Sequence, residues 1–432
     1  HAFTATATER VRRDIVSELR LREPVLLVGG FDRPNLTYRV LRRADLRRQV
    51  LRVLARHVGD AAIIYCLPRR EVEETADWLS GEGHRAVPYH AGLPDEMRAR
   101  HQESFLNEQV DIVVATVAVG MGIDRSNVRF VIHAGAPRSP EHYQQESGRA
   151  GRDGLEAECV LIASGADFLK WRVMLEKNGE LSDARRGLLR DMERYAASVG
   201  CRHKRLVSYF GETFTKDDCG ACDYCLGELE SVADSITVAR KILSCVARVG
   251  QRFGAAHVTN VLRGSDSEQV RTRGHHELSV FGLMKDATID ELRGYIDQLL
   301  AAGLLQQGGD EYPILQITAE GHALLKDAGA VPDLSLARQK RPDRRMPKRA
   351  RVETEGWEGV DRDLFEELRV LRMEIARRRR VPPYVIFHDT TLREIARSKP
   401  KTKEELRHVY GVGDRKAEDL GELVLAVVAK SG

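Results

Sequence analysis

Between about residue 61 and residue 162, short β-branched runs alternate with longer amphipathic stretches. AAIIYC (61–66), AVPYH (86–90), VDIVVAT (110–116), VRFVIH (128–133) and AECVLI (157–162) read as buried strands. REVEETADWLSGEG (70–83), closed by glycine, and DEMRARHQESFL (95–106) have the period of helices. Strands alternating with helices predict a parallel sheet covered on both faces, which takes its ligands at the carboxyl ends of the strands. After VDIVVAT, Gly120 and Gly122 in VAVGMGID (117–124) let the backbone approach a ligand closely. After VRFVIH, Ser139 and Pro140 form an N-cap and first-turn pair opening SPEHYQQES (139–147), which runs into GRAGRDG (148–154).

Beyond the sheet, residues 165–199 are helical and charged, and ADSITVARKILSCVARV (233–249) and TIDELRGYIDQLLAAGLL (288–305) are further helices. They precede QQGGDEYPILQIT (306–318), where Gly308 and Gly309 suit a hairpin turn, so helices followed by a hairpin predict a winged helix. From 357 to 432 a separate small helical unit is expected, its first helix striped by Leu364, Leu368, Leu371 and Ile375.

Composition narrows the class only a little. A chain of 432 residues needs two to four cores, and 42% hydrophobic with 31% charged residues is ordinary for globular protein. No apolar stretch approaches the roughly 18 residues of a membrane span, so no membrane partner is expected. The opening HAFTATATERVRRD lacks the apolar centre of a signal peptide and begins at His1, which suggests a cytoplasmic chain starting inside a longer protein. The net charge of +3 names no partner. Its distribution does more: RQKRPDRRMPKRAR (338–351) and the run Arg377–Arg380 suit a polyanion, although a solvated linker explains the first equally well.

Cys66, Cys159 and Cys245 lie alone in apolar segments and read as small buried residues. Cys201, Cys219, Cys222 and Cys225 follow C-x17-C-x2-C-x2-C. Four thiolates complete a tetrahedral Zn²⁺ and leave no open position, which predicts a structural site; a redox pair or chance clustering is the alternative. In GRAGRDG, Arg149 and Arg152 present planar, permanently charged donors suited to phosphate oxygens, where the bland alternative is a turn with solvated charges.

YQQESGRAGRDG resembles motif VI of superfamily 2 helicases, and VVATVAVGMGID their motif V. FDRPN, IIYCLPRREVE, YHAGL, the cysteine spacing ending CGACDYC, VPPYVIFHDTTLREIA and VYGVGDRKAEDLG are similar, in the same order, to stretches of RecQ DNA helicases. The resemblance covers almost the whole chain. It implies a RecA-like parallel sheet with helices on both faces, then a zinc-binding helical platform, a winged helix and a small helical HRDC domain. The boundaries expected are 1–30 (tail of a first RecA-like domain and linker), 31–195 (second RecA-like domain), 196–230 (zinc), 231–332 (winged helix), 333–356 (basic linker) and 357–432 (HRDC).

By that resemblance Arg149 and Arg152 reach the γ-phosphate of ATP on the partner lobe, Gln145 senses the nucleotide and Asp124 touches the ribose. Thr116, His90 and Gly92 contact the backbone of single-stranded DNA. Tyr312 stacks on or wedges between bases at a fork, unless it simply packs the hairpin. Arg377 and Arg378 add a tethered DNA contact, the alternative being a protein-binding bundle. The implied activity is ATP-dependent 3′-to-5′ unwinding in DNA recombination and repair by a bacterial, nucleoid-associated monomer. Its partners would be single-stranded and forked or branched DNA and DNA-repair proteins, its cofactors structural Zn²⁺ and, with a first RecA-like domain, ATP and Mg²⁺.

The pattern departs from the family in one respect. No lysine follows a glycine and no Asp-Glu pair sits in a D-E-x-H setting, so the phosphate loop and Mg²⁺-binding box are expected upstream of His1. This polypeptide alone is therefore expected to bind DNA without sustained ATP hydrolysis. A non-catalytic module recognising branched DNA is the competing reading.

Overall fold

The computed structural model describes residues 2–4, 6–116, 125–308, 313–331, 334–340 and 356–430. Its first unit contains α1 (Glu9–Glu18), β1 (Leu36–Arg42), α2 (Leu46–Leu54), β2 (Ala61–Cys66), α3 (Arg69–Gly81), β3 (Ala86–Tyr89), α4 (Asp95–Leu106) and β4 (Ile112–Thr116). It continues through β5 (Val128–His133), α5 (Pro140–Ser147), β6 (Ala157–Ala163), α6 (Gly165–Lys177) and α7 (Asp183–Ala197). The strands form one parallel sheet in the order β1-β6-β5-β2-β4-β3.

Successive strand residues point to opposite faces, and here both faces are covered, which is why the strands read as unbroken apolar runs. Ile64, Phe130, Ile132 and Val160 pack with Val50 and Val53 of α2 and Val72 and Leu79 of α3. Ile63, Tyr65, Val131 and Leu161 pack on the other face with Tyr143 of α5, Trp171 of α6 and Met192 of α7. The five expected strands are present. β1 is an addition, since Arg39 and Arg42 interrupt its apolar pattern. Arg39 is tolerated inside because its guanidinium meets the Glu158 carboxylate at 3.0 Å and that of Glu228 at 2.8 Å.

The cysteine-bearing segment supplies α8 (Arg202–Tyr209) and β7 (Leu229–Ser231). It does not build a core of its own: Cys201, Leu206 and Cys222 join the apolar cluster of the sheet's second face. Next come α9 (Ser235–Arg248), α10 (Ala255–Arg263), α11 (Glu268–Thr272), α12 (Ile289–Ala301), β8 (Leu305–Gly308), β9 (Ile314–Ile317) and α13 (Ala319–Lys326). β8 and β9 form the expected antiparallel hairpin, with Gly308 opposite Ile314.

Residues 334–340, expected to open the basic linker, are ordered instead. Leu336 is buried in the winged-helix core, and β10 (Ala337–Gln339) pairs antiparallel with β7. Arg338, the first residue of the basic block, is matched by Glu230 and Glu291, each at 3.1 Å. The terminal unit comprises α14 (Arg362–Arg379), α15 (Pro383–Ile386), α16 (Asp389–Ser398), α17 (Lys403–Arg407) and α18 (Asp414–Lys430). Leu364, Leu368 and Ile375 bury the predicted stripe against Ile395, Leu406 and Leu420.

This terminal unit docks on the flank of the sheet unit. Arg372, 1% exposed, bridges Glu108 at 3.2 Å and Asp389. Arg393 forks onto both carboxylate oxygens of Glu156 at 2.7 Å, with Trp357 against its other side at 3.9 Å. Burial alone would push the Asp389 carboxyl up, but the charges of Arg372, Arg129 and Arg369 hold it well below the usual carboxylate range.

Candidate functional site

The serine and proline predicted to start α5 do so: Ser139 Oγ accepts the His142 N–H at 3.3 Å, and Pro140 occupies the first turn. The helix ends at Ser147; Gln145 lies in its last turn, and Arg149 and Arg152 lie in the turn that follows. Gln145 and Arg152 are exposed and Arg149 is half-buried. Gln145 Nε2 donates to Thr6 Oγ1 at 2.6 Å, joining α5 to the N-terminal stretch. Arg149 and Arg152 both act on the Tyr65 phenol. Burial and the Glu146 charge push it up, and the two arginines pull the other way. Glu146 is itself buried, which raises its carboxyl, while His133 Nε2 at 2.9 Å and the charges of His133, Arg149 and Arg138 oppose that rise.

Behind the arginines the loop is firmly held. Arg129 meets both Asp153 oxygens at 2.6 Å and donates to the Glu156 carbonyl at 2.9 Å. The Gly151 N–H donates to the Val128 carbonyl at 2.9 Å, at the amino end of β5.

The expected DNA-contacting residues lie at the carboxyl ends of β4 and β3. Thr116 closes β4, and His90 follows β3, whose Tyr89 pairs with Ala115. His90 is only 2% exposed. Its Nδ1 accepts the Gly92 N–H at 3.2 Å and its Nε2 faces Glu73 at 3.1 Å, which makes Nε2 the protonated nitrogen. The ring thus shapes the loop, and exposed Gly92 is presented to solvent. Gly120, Gly122, Asp124 and Tyr312 lie outside the described residues, as does the basic block from 341 onward.

The four cysteines converge as the spacing predicts, with all sulfur atoms within 4.8 Å of one another. Backbone N–H groups already point at them: Lys204 N–H reaches Cys201 at 3.5 Å, Ala221 N–H reaches Cys219 at 3.4 Å, and Arg202 and Cys225 N–H groups reach Cys222 at 3.5 and 3.4 Å. Thiols packed this tightly disturb each other, the contacts of Cys219 and Cys222 drawing Cys201 far down while contact with Cys201 drives Cys219 up. A soft divalent cation relieves that conflict, so the donor set fits structural zinc. Arg202 and Asp223, flanking the ligands, form a buried two-point ion pair at 2.8 and 3.0 Å.

Arg377 and Arg378 occupy the last turn of α14, where cations also complement the helix dipole. Arg377 and Arg380 line a groove of about 610 Å³ facing Gln102, Glu103 and Asn107 of the α4 end. No helix among the described residues is long and apolar enough to cross a membrane.

Sequence reasoning left Arg33, Asn35, Glu146, His133 and the Arg202–Asp223 pair without roles. A charged pair and a proline-asparagine step immediately ahead of a strand were the signal available for the first two.

Comparison with known families divides the chain into consecutive matches. Residues 45–154 match the helicase conserved C-terminal domain, 165–226 the RecQ zinc-binding model, 230–343 the RQC domain and 361–428 the HRDC domain. Across 99% of its length the chain is 38% identical to the ATP-dependent DNA helicase RecQ of Haemophilus influenzae, of which it covers 68%. Across 98% it is 36% identical to the ATP-dependent DNA helicase RecQ of Bacillus subtilis, covering 69% of that protein. The ATP-dependent DNA helicase Q-like 4B of Arabidopsis thaliana is 30% identical over 99% of the chain, which spans 41% of the plant protein.

Proposed function

The chain belongs to the RecQ helicase family, and we propose that it forms the nucleotide-responsive second lobe and the DNA-engaging modules of an ATP-dependent 3′-to-5′ DNA helicase acting in recombination and repair. The observation that carries this reading is the grouping of Gln145, Arg149 and Arg152 around the end of α5, with both arginines acting on Tyr65 near the carboxyl end of β2 and Gln145 bonded to Thr6 in the N-terminal stretch. In the reading, Arg149 and Arg152 stabilise charge on the γ-phosphate of ATP held by a first lobe, where the Mg²⁺ also binds. Permanently charged guanidinium groups suit this task because they need no proton bookkeeping.

Thr116 and Gly92 contact the single strand, the latter presented by the His90 ring. Arg377 and Arg378 give the terminal unit a tethered hold on forked or branched DNA. Zinc held by Cys201, Cys219, Cys222 and Cys225 supplies rigidity and no open coordination position. We extend the reading to a monomer in the bacterial cytoplasm, on the nucleoid, working beside DNA-repair proteins; two of the relatives named above are bacterial.

Replacing Arg152 by Ala in an enzyme carrying both lobes tests it. ATP turnover stimulated by single-stranded DNA should fall on the order of 100-fold or more while DNA affinity holds. Lost DNA binding with normal turnover would reverse the assignment. The present chain by itself should bind DNA without sustained hydrolysis, and robust turnover would refute the division of labour between lobes.

A further inference from the structure

Only Ala150 and Gly151 separate the two arginines, and the carbonyl groups of both are gripped from outside the loop. The Arg33 guanidinium donates to the Gly151 carbonyl at 3.0 Å and to that of Ala150 at 3.3 Å. Asn35 Nδ2 donates to the Gly151 carbonyl at 2.9 Å and to that of Leu155 at 2.8 Å. Asn35 is 9% exposed, and its own carbonyl accepts the Ala157 N–H at 3.0 Å. Gly151 has φ +56°, and a Cβ there would stand 2.5 Å from Asn35 Nδ2. The left-handed turn and the asparagine amide are therefore one fitted unit.

The same short segment, FDRPN (31–35), is fastened at its other end to the cysteine-bearing unit. Asp32 meets His203 Nδ1 at 2.7 Å, two residues past the first zinc ligand. The Phe31 ring stacks on Phe210 at 4.6 Å, and its N–H donates to Glu212 at 2.7 Å. Gln144 Nε2, in α5, donates to the Phe31 carbonyl at 3.1 Å.

We infer that Asn35 and Arg33 are positioning residues for the Arg149–Arg152 pair, and that FDRPN carries the metal-bound state of the four-cysteine unit to that pair. The inference rests on the proposed role of the arginines. Neither positioning residue touches the nucleotide; each fixes the pitch of the loop that aims the guanidinium groups, where a displacement of about 1 Å is enough to cost roughly 100-fold in rate.

Asn35→Asp is the sharpest probe, because it keeps the shape and turns a double donor into an acceptor facing two carbonyl groups. In an enzyme carrying both lobes, kcat for DNA-stimulated ATP turnover should drop roughly 10- to 100-fold, with KM for ATP, affinity for single-stranded DNA and zinc content unchanged. Arg33→Lys should recover part of the kcat lost in Arg33→Ala. In the present chain, amide hydrogen exchange over 148–156 should quicken about tenfold in Asn35→Asp, with α14 and α18 unaffected. Removing zinc with a chelator should quicken the same peptide more than it quickens β2 and β5 of the sheet, which share the apolar cluster but are not held by FDRPN.

A normal kcat with unaltered exchange overturns the inference, as does a fall in thermal stability with kcat intact. Unaltered exchange over 148–156 after complete zinc loss, or quickening no greater than that of β2 and β5, overturns the coupling to the metal. Arg152→Ala separates the two levels. Should that variant hydrolyse ATP normally, the role of the arginines fails. Should it be inactive while Asn35→Asp is normal, only the positioning role fails.

Discussion

The four-cysteine unit and the terminal helical unit attach to the same sheet by opposite means. The first has no separate core: Cys201, Leu206 and Cys222 share one apolar cluster with Tyr143, Met192 and Tyr195, and the backbones of Tyr38, Ala221 and Asp223 bond across the join. The second keeps its own apolar cluster and meets the sheet unit through Arg372–Glu108 and Arg393–Glu156. Apolar area removed from water is recovered nowhere else, so the first join holds as long as the fold does. A buried guanidinium–carboxylate pair gains little over its hydrated partners, so the second join is expected to be the weaker of the two.

The heaviest blow to that contrast is Cys222→Ser. It should lower the unfolding free energy by about 5 kcal/mol or more and collapse the sheet unit and cysteine unit in one transition, followed by calorimetry with zinc analysis. Two separate transitions would show that the cores are not shared. Next, Glu108→Ala with Glu156→Ala should shift the docking equilibrium of the terminal unit by about 3 kcal/mol toward release. Small-angle X-ray scattering would show a larger radius of gyration, with the unfolding of the sheet unit unchanged; an unaltered radius would mean that apolar contact holds the dock.

A smaller effect comes from a polar cluster inside the sheet unit to which both regions attach. Burial pushes the His57 imidazole down, but its bonds to Asp60 and Glu158 and their charges lift it to about 9. Its contribution is complete below the ordinary value of about 6.5 and disappears as pH rises through 9. Glu158 runs the other way. Burial raises it, the His57 bond and the charges of Arg39 and Arg56 outweigh that, and its contribution is lost as pH falls below the ordinary carboxylate range. His57→Gln should remove on the order of 2 kcal/mol at pH 6 and flatten the alkaline limb of the stability profile measured by urea unfolding. Least of all, Ser139→Ala should cost about 1 kcal/mol by uncapping α5 and leave both joins intact by either measure.

The parallel sheet was legible because strands buried on both faces leave unbroken runs such as AAIIYC, and the cysteine tetrad because thiolate spacing survives any fold around it. β1 was not, since an arginine at position 39 looks exposed until Glu158 and Glu228 are found beside it. The ordered start of the basic block escaped for the same reason: Glu230 and Glu291, distant in sequence, neutralise Arg338. Among the site residues, Arg149 and Arg152 stood out as paired arginines between glycines, and Gln145 through the resemblance to motif VI. His90 was legible as part of a loop but not as its internal strut, and the side-chain bonds of Asn35 run to residues more than a hundred positions away.

Open sheets carry a hazard at their outermost strands, whose unpaired peptide groups invite other chains to add on. On one border of this sheet β3 carries Pro88, which has no N–H to offer. On the other, the cysteine turn lies along β1, with Tyr38 N–H donating to Ala221 and Asp223 N–H to Tyr38. The cysteine turn thereby covers that border, and if zinc is what holds the turn in place, protein stripped of metal should form aggregates seeded along β1 well before the remaining domains unfold.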